Sequence, residues 1–541
     1  MGLAGTRGSS AVTLAALAGV AVALAWALRL LGDQPIVFDS QQYVRIARFL
    51  MNGKLEEWEQ RTYGYPVFLT ALFWLSDGDT VILKLLVFWV QLGAYLGACW
   101  LFARRVAAAF GSVRIAQVTL VLTALNPYAL ILTGTVLTDL LSVALITVAA
   151  ALLLPPRDSH PATPAVLRDG ALLLFVLALA AEIRPANAIL LPVCGLLWLA
   201  RWWGVTGARR PAHLVGGCLL VGIAAMLPIV PQMLVNWTLY GQPSPFTVRS
   251  LYAEQIGWGM ANLKYATFVP RDFDGEPPLF YKSPFVAGQP DAVAYLLSRP
   301  HLLAATLALH TFGLLDQDLP FVYIRTLDPW YRWPLSTVNY LLLWTMAVGL
   351  VLGWRCWWRP GTRLAWGALA AIGIGYLLLY LPTAVECRFG VPLFVLLAPG
   401  AALALVSVQD AVRAHNWRRV VGFGAGAMLT IAICATLSAW MQAQAANISA
   451  FQELMRLGQL DAPVARFEAL PPERWTIAQP QTYTVRATNL GEQMWYTIRP
   501  ARIFVHIMFV GPGSSDVVDT RVEARVPIDQ AARGSCSAIE I

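Results

Sequence analysis

The sequence predicts a polytopic α-helical membrane protein of about eleven transmembrane helices, followed by a small extracytoplasmic β-sandwich domain. Three observations carry this reading. Of the 541 residues, 57% are hydrophobic and only 13% are charged, with mean hydropathy +0.58; a soluble domain carries about a quarter charged residues. Apolar runs of spanning length recur from Ala11 to Trp440. Beyond Trp440 the pattern shifts to β-branched, alternating stretches, Thr482–Trp495 and Arg502–Phe509, broken by Asn489-Leu490-Gly491 and Gly511-Pro512-Gly513. That pattern reads as short strands. A membrane domain at 1–440 and an extracytoplasmic, mainly β domain at 441–541 are therefore expected.

The spans follow from where arginine sits. Arg7 precedes the first run, and Arg104, Arg105 and Arg114 separate the second from the third. Arg157 and Arg168 follow the fourth, Arg201, Arg209 and Arg210 the sixth, Arg355, Arg359 and Arg363 the eighth, and Arg413, Arg418 and Arg419 the tenth. If these loops are cytoplasmic, the positive-inside rule is obeyed throughout. The spans are then 11–31, 80–103, 115–133, 139–154, 169–183, 186–201, 213–233, 333–354, 364–381, 389–408 and 420–440. The first run is too long for a signal segment and is expected to be retained. An odd count puts the N-terminus in the cytoplasm and the C-terminus outside. The segment Tyr65–Ser76 is apolar but too short to span, so it is expected to be re-entrant or interfacial.

Three outer loops result, at about 32–79, 134–139 and 232–332. Within the third, Ala292–Leu315 suits an amphipathic helix on the bilayer surface, with His301 and His310 at the interface. The formal net charge of +8 would suggest nucleic acid in a soluble protein. Here the arginines set orientation, and no nucleic acid partner is expected. Cys99, Cys194, Cys218, Cys356 and Cys434 lie in or beside apolar runs as small hydrophobes. Cys387 and Cys536 could both be outside, where a disulfide is open to them. No metal-ligand spacing appears.

The first outer loop concentrates the chemistry. Asp39 has Tyr43 one helical turn on, then Arg45 and Arg48, the acids Glu56, Glu57 and Glu59, and Arg61-Thr62-Tyr63-Gly64-Tyr65-Pro66. Charges at the mouth of a membrane helix are costly unless they face water or a polar site. A carboxylate there can act as a general base on an attacking hydroxyl or amine, and guanidinium groups can neutralise a phosphate leaving group. Arg45, Arg61, Arg184 and Arg388 are the candidates for that phosphate. The plainer alternative stays open: Asp39 caps a helix and the arginines bind lipid headgroups. Asp139 after Thr138 reads by itself as a carboxylate favoured at a helix start. Glu182-Ile183-Arg184-Pro185 and Glu386-Cys387-Arg388-Phe389 each admit a structural ion pair as readily as a site.

The joint order of these motifs resembles the GT-C class of membrane glycosyltransferases, which includes protein O-mannosyltransferases and the aminoarabinose transferase of lipid A. The likeness covers most of residues 11–408. It is carried by Asp39 with Tyr43, Gly64-Tyr65-Pro66, Leu125-Asn126-Pro127 with Thr138-Asp139, Ile183-Arg184-Pro185, Asn236 with Tyr240-Gly241, and Glu386-Cys387-Arg388-Phe389. The resemblance implies an inverting reaction with a polyprenyl-phosphate sugar donor, on the periplasmic or other outer face of the membrane; high alanine, arginine and leucine usage, with no organelle signal, suggests a bacterial inner membrane. The acceptor would be a glycan, lipid or protein. Asp39 would be the base and Asp139 would support the site. Tyr43, Tyr63, Tyr65, Asn236 and Glu386 are the expected sugar- or acceptor-binding residues. Two departures matter. Ser40 stands where the class often has a second acid, and Trp202-Trp203 is followed by Gly204 rather than by the Asp of metal-dependent members. No obligatory metal or other cofactor is therefore expected, with a divalent metal left open.

Two other readings compete. A transporter or flippase of lipid-linked sugars would show internal repeats and broken helices near the midplane, whereas the charged motifs cluster at one predicted face. An O-antigen polymerase or ligase would also carry a large outer loop, but the early Asp39 motif argues against it. In the terminal domain, Val485–Trp495 resembles the strand-turn-strand of carbohydrate-binding or immunoglobulin-like sandwiches, as a sugar-binding or merely docking module.

Overall fold

The computed structural model describes residues 5–443 except 33–35, 37–38, 57, 156–162, 207–210, 253–254, 257–258, 260–296, 318–328 and 358–359, together with five strands between 465 and 540. The chain forms two compact units, Met1–Ala446 and Asn447–Ile541.

The first unit is helical. Its helices are α1 (Gly5–Gly32), α2 (Asp39–Met51), α3 (Gly64–Leu75), α4 (Thr80–Phe110), α5 (Val113–Ala124), α6 (Pro127–Ile131), α7 (Asp139–Leu153), α8 (Thr163–Ile183), α9 (Leu190–Thr206), α10 (Pro211–Tyr240), α11 (Pro300–Leu315), α12 (Pro329–Trp357), α13 (Pro360–Tyr380), α14 (Val391–Arg413) and α15 (Trp417–Ala443). Among the described residues, eight helices are long and apolar enough to cross a membrane, which makes the chain an integral membrane protein. A helix also lies at each of the other three proposed spans, as α1, α7 and α8. α3 covers the short apolar segment and packs on α2 and α4. α10 runs on to Tyr240 through Pro228 and Pro231, seven residues past the expected end at 233. Its last turns remain apolar, so nothing in the side chains stops it sooner.

Local chemistry fixes the helix ends. The Asp79 carboxylate accepts from the Val81 and Ile82 amides and starts α4. Gly111, with φ 65°, ends it, and the Ser112 hydroxyl caps α5. Asn126 caps α6, where Pro127 supplies a preset φ at the first helical position. The centre of the unit is α7. It packs against α4, α8 and α14, and nearly all of its residues are buried. Apolar residues all round a helix demand partners on every side. Asp139 is thereby carried into the interior at the first residue of that helix.

In the third predicted loop, α11 is partly buried: Thr306, His310, Gly313 and Leu314 are buried, whereas His301, Ala304 and Ala308 are exposed. It packs on the 3₁₀ turn Cys387–Gly390, with the Gly390 Cα against the Leu314 carbonyl so closely that no Cβ fits. His310 is fully buried, with Nδ1 at 2.5 Å from the Leu381 carbonyl. The sequence of α11 is apolar on all faces, so it has no wet side to lay on a bilayer.

The second unit holds β1 (Ala465–Glu468), β2 (Thr484–Asn489), β3 (Val505–Val510), β4 (Val517–Val522) and β5 (Cys536–Glu540). One antiparallel sheet has the order β1-β2-β5, and β3 pairs β4 from Val505 with Val522 to Val510 with Val517. β2 lies within the stretch Thr482–Trp495, and β3 overlaps Arg502–Phe509 and runs one residue past it. Cys387 is buried in the first unit.

Candidate active site

The site is assembled from four segments that are distant in sequence. α2 is amphipathic. Tyr43, Ile46 and Ala47 lie on its buried face, the face that Asp39 shares by helical phase. Gln41, Arg45, Arg48 and Asn52 lie on the opposite face. Tyr43 sits edge-to-face with Trp58 at 5.5 Å and with Tyr65 at 5.1 Å between ring centroids. These aromatic contacts hold α2 onto the start of α3. Burial pushes the Tyr43 phenol above its ordinary range, against the pull of Arg61, so it is neutral and can donate a hydrogen bond. The charges of Asp39, Arg184 and Asp139 also act on it.

Asp39 opens α2, where the helix dipole favours a carboxylate. Its Oδ1 lies 3.1 Å from Arg61 Nη2, and the two side chains are 30% and 29% exposed. Asp139 is only 2% exposed and is gripped twice. Arg184 Nη1 is 2.5 Å from its Oδ1, and Arg388 Nη1 is 3.2 Å from its Oδ2. Arg388 then grips Glu386 with two further bonds, Nε to Oε2 at 2.7 Å and Nη2 to Oε1 at 3.0 Å. Phe389 lies under both guanidinium groups, at 4.3 Å from Arg184 and 4.9 Å from Arg388. Such a buried network is tolerable only because each charge has an opposite partner and directed bonds. Asp39, Asp139 and Glu386 balance Arg61, Arg184 and Arg388.

The loop after α2 is fastened from behind. Thr62 Oγ1 donates to the Glu182 carbonyl at 2.6 Å, and Gly64 lies against that same carbonyl with no room for a Cβ. The Tyr63 amide donates to Gln232 Oε1 at 2.8 Å, and Gln232 Nε2 donates to Asn236 Oδ1 at 2.9 Å. The Asn236 amide donates to the Ser244 and Phe246 carbonyls at 2.8 and 2.7 Å. Tyr63 donates its hydroxyl to the Glu56 carbonyl, and the Arg249 amide donates to the Glu59 carbonyl at 2.9 Å. On the other side, the Ala384 amide donates to the Gln255 carbonyl at 3.1 Å. The start of the third loop thus ties the first loop to the Glu386–Arg388 turn.

Of the residues the sequence singled out, Asp39, Arg61, Tyr43, Tyr65, Asp139, Arg184, Glu386 and Arg388 come together. Tyr63 and Asn236 form the fastening layer behind them. Arg45 does not join the cluster: it pairs with Glu56 at 3.0 Å on the other side of α2. Sequence reading missed Tyr376 and Tyr380, whose rings pack at 4.8 Å, tilted by 40°, with Tyr380 against Arg184. It also missed Gln317, whose amide donates to the Cys387 carbonyl at 3.0 Å and braces the turn that carries Arg388. A tyrosine pair spaced four apart at the end of an apolar run was the one available signal. Among the described residues, no group of three or more histidine, cysteine or acidic side chains could hold a metal ion.

No family model matches the chain, and no curated protein matches it. Among solved structures, it is similar to ArnT from Cupriavidus metallidurans bound to undecaprenyl phosphate, at 13% identity and TM-score 0.44, over 83% of this chain and 76% of that one. It is also similar to the Archaeoglobus fulgidus oligosaccharyltransferase tethered with an acceptor peptide, at 13% identity and TM-score 0.41, over 81% of this chain and 55% of that one. A third similarity, at 12% identity and TM-score 0.37, is to the oligosaccharyltransferase AglB of the same archaeon in complex with an inhibitory peptide and a dolichol-phosphate. These are GT-C glycosyltransferases, the class that the sequence motifs resemble.

Proposed function

We propose that the chain is an inverting glycosyltransferase that moves a sugar from a polyprenyl-phosphate donor to an acceptor on the outer face of a bacterial inner membrane. One arrangement carries the reading: an accessible carboxylate, Asp39, paired with Arg61, and a buried carboxylate, Asp139, held by Arg184 and Arg388. Asp39 takes the proton of the acceptor hydroxyl or amine. That oxygen or nitrogen attacks the anomeric carbon as the bond from carbon to phosphate oxygen breaks, and the polyprenyl phosphate leaves with the electron pair. Arg184 and Arg388 face the developing phosphate charge. A guanidinium has five N–H donors, so the single bond from Arg184 to Asp139 leaves capacity for phosphate. Asp139 and Glu386 hold the two arginines in place. Tyr43 and Tyr65 wall the sugar, and no step calls on a metal. The two sheets of the second unit are proposed to pack as a sandwich that serves the acceptor side.

The test is turnover of a panel of radiolabelled polyprenyl-phosphate sugars by the purified chain. Released polyprenyl phosphate that disappears in Asp39→Asn, with donor binding and folding kept, is the expected result. Turnover unchanged in that variant would return Asp39 to a helix cap. Labelled lipid crossing proteoliposomes without sugar release would replace the transferase with a transporter.

A further inference from the structure

The face of α2 turned away from Asp39 and Tyr43 borders a second cavity, of about 520 Å³, lined by Ile36, Gln41, Val44, Arg45, Arg48, Phe49, Asn52 and Thr80. Gln41, Arg45, Arg48 and Asn52 are spaced four, three and four apart, so they form one polar stripe along the helix. Two guanidinium groups and two carboxamides therefore meet Ile36, Val44 and Phe49 in one recess. Its level relative to the bilayer follows from Thr80, the first residue of a membrane-crossing helix of 31 residues. The next two residues, Val81 and Ile82, are exposed and apolar. The recess thus lies where a helix leaves the polar layer and enters the apolar one.

Its electrostatics select an anion. Arg48 is exposed, with its guanidinium over the face of Phe73 at 5.6 Å, while its carbonyl accepts from the Asn52 carboxamide at 3.0 Å. Arg45 is 58% exposed and is paired with Glu56, in a geometry that contributes little and is readily exchanged. Two acids bear on the site. Asp79 is engaged at the α4 amides, and Glu56 competes for Arg45.

We propose that this recess binds the phosphate headgroup of an anionic membrane lipid, separately from the donor site, with Arg45 and Arg48 on the phosphate and Val44 and Phe49 beside the glycerol. The site lies on the back of the helix whose front carries Asp39, so an occupied recess seats α2 against the bilayer. The proposal stands on the cavity alone and does not require the transferase reading.

The test titrates the purified full chain in neutral detergent with dioctanoyl-phosphatidylglycerol. Dioctanoyl-phosphatidylcholine and inorganic phosphate serve as the other arms. Arg48→Gln is expected to weaken phosphatidylglycerol binding about tenfold, the scale of one charge-assisted hydrogen bond. Glu56→Gln is expected to tighten it, because Arg45 loses its competitor. The opposite signs keep the test decisive if either variant folds poorly. Equal binding of phosphatidylcholine, or of inorganic phosphate, overturns the anionic-lipid site. So does an Arg48→Gln affinity equal to that of the wild type, or a Glu56→Gln variant that binds more weakly.

Discussion

Asp39 and Asp139 both open a helix and both face arginine, yet they are built for different work. Asp39 lies on a short amphipathic helix, about a third exposed, against Arg61 at 3.1 Å. Asp139 heads a helix with 12 of its 15 residues buried, with Arg184 and Arg388 on separate oxygens. A carboxylate locked by two buried cations cannot take up a proton without weakening both pairs and leaving Arg184 without its carboxylate partner. One that keeps contact with water can exchange protons at little structural cost. The difference assigns proton transfer to the first and the fixed field to the second.

The sharpest way to break this contrast is on turnover. Asp39→Asn keeps the shape and removes the base, and should lower sugar release by about 10²- to 10⁴-fold, the range of general-base catalysis. Its thermal unfolding should barely move. The measurement is initial rate at saturating donor; a variant that unfolds early but turns over normally when folded would invert the assignment.

The second effect is on stability. Arg388→Met leaves Glu386 and Asp139 buried without their shared cation and should cost about 3–5 kcal/mol, as broken buried pairs do. Denaturant unfolding in mild detergent reads this directly. A loss below about 1 kcal/mol, the level of a surface pair, would mean that water reaches the turn and that the Asp139 network is no rigid field.

A smaller effect is expected where the first loop touches the rest. A Cβ at Gly64 would collide with the Glu182 carbonyl, so Gly64→Ala forces backbone apart and should destabilise by about 1–3 kcal/mol. Because the displaced segment runs from Arg61 to Tyr65, donor affinity should fall along with stability. Unfolding midpoint and KM measured on the same preparation check the linkage, and a change in one without the other would separate loop fastening from the site.

Much of the architecture was legible because membrane helices declare themselves by run length and by arginine in the loops. The convergence of Asp39, Asp139, Arg184 and Arg388 was legible only as an order of motifs, since no spacing in the chain says that residue 139 meets residue 388. Arg45 shows the limit. By type and position it belonged with the phosphate-binding arginines, but two residues beyond Tyr43 a helix has turned through about 200°, and it points away. α11 shows another. Its two histidines were expected together at the interface, but only His301 is exposed, whereas His310 is buried against the Leu381 carbonyl. Gln317 carried no signal, because bracing a carbonyl across the fold leaves no mark in local sequence.

The finest test compares the two ion pairs by double-mutant cycles in unfolding free energy. For Asp39 and Arg61, each about 30% exposed, Asp39→Asn with Arg61→Gln should show a coupling of about 0.2–1 kcal/mol, since solvent screens the pair and ordering two side chains offsets the attraction. For Asp139 and Arg184, 2% and 16% exposed and 2.5 Å apart, Asp139→Asn with Arg184→Gln should couple severalfold more strongly. Asparagine and glutamine keep volume, so the difference reports charge rather than cavity. A small coupling at the first pair is what a proton-exchanging group needs: a base held by a strong ion pair would lose that pair each time it was protonated, and the enzyme would pass through its least stable state in every turnover. Equal couplings at the two pairs would mean that the exposure of Asp39 does not soften its ion pair, and proton transfer would then have to be sought on another group beside Tyr43.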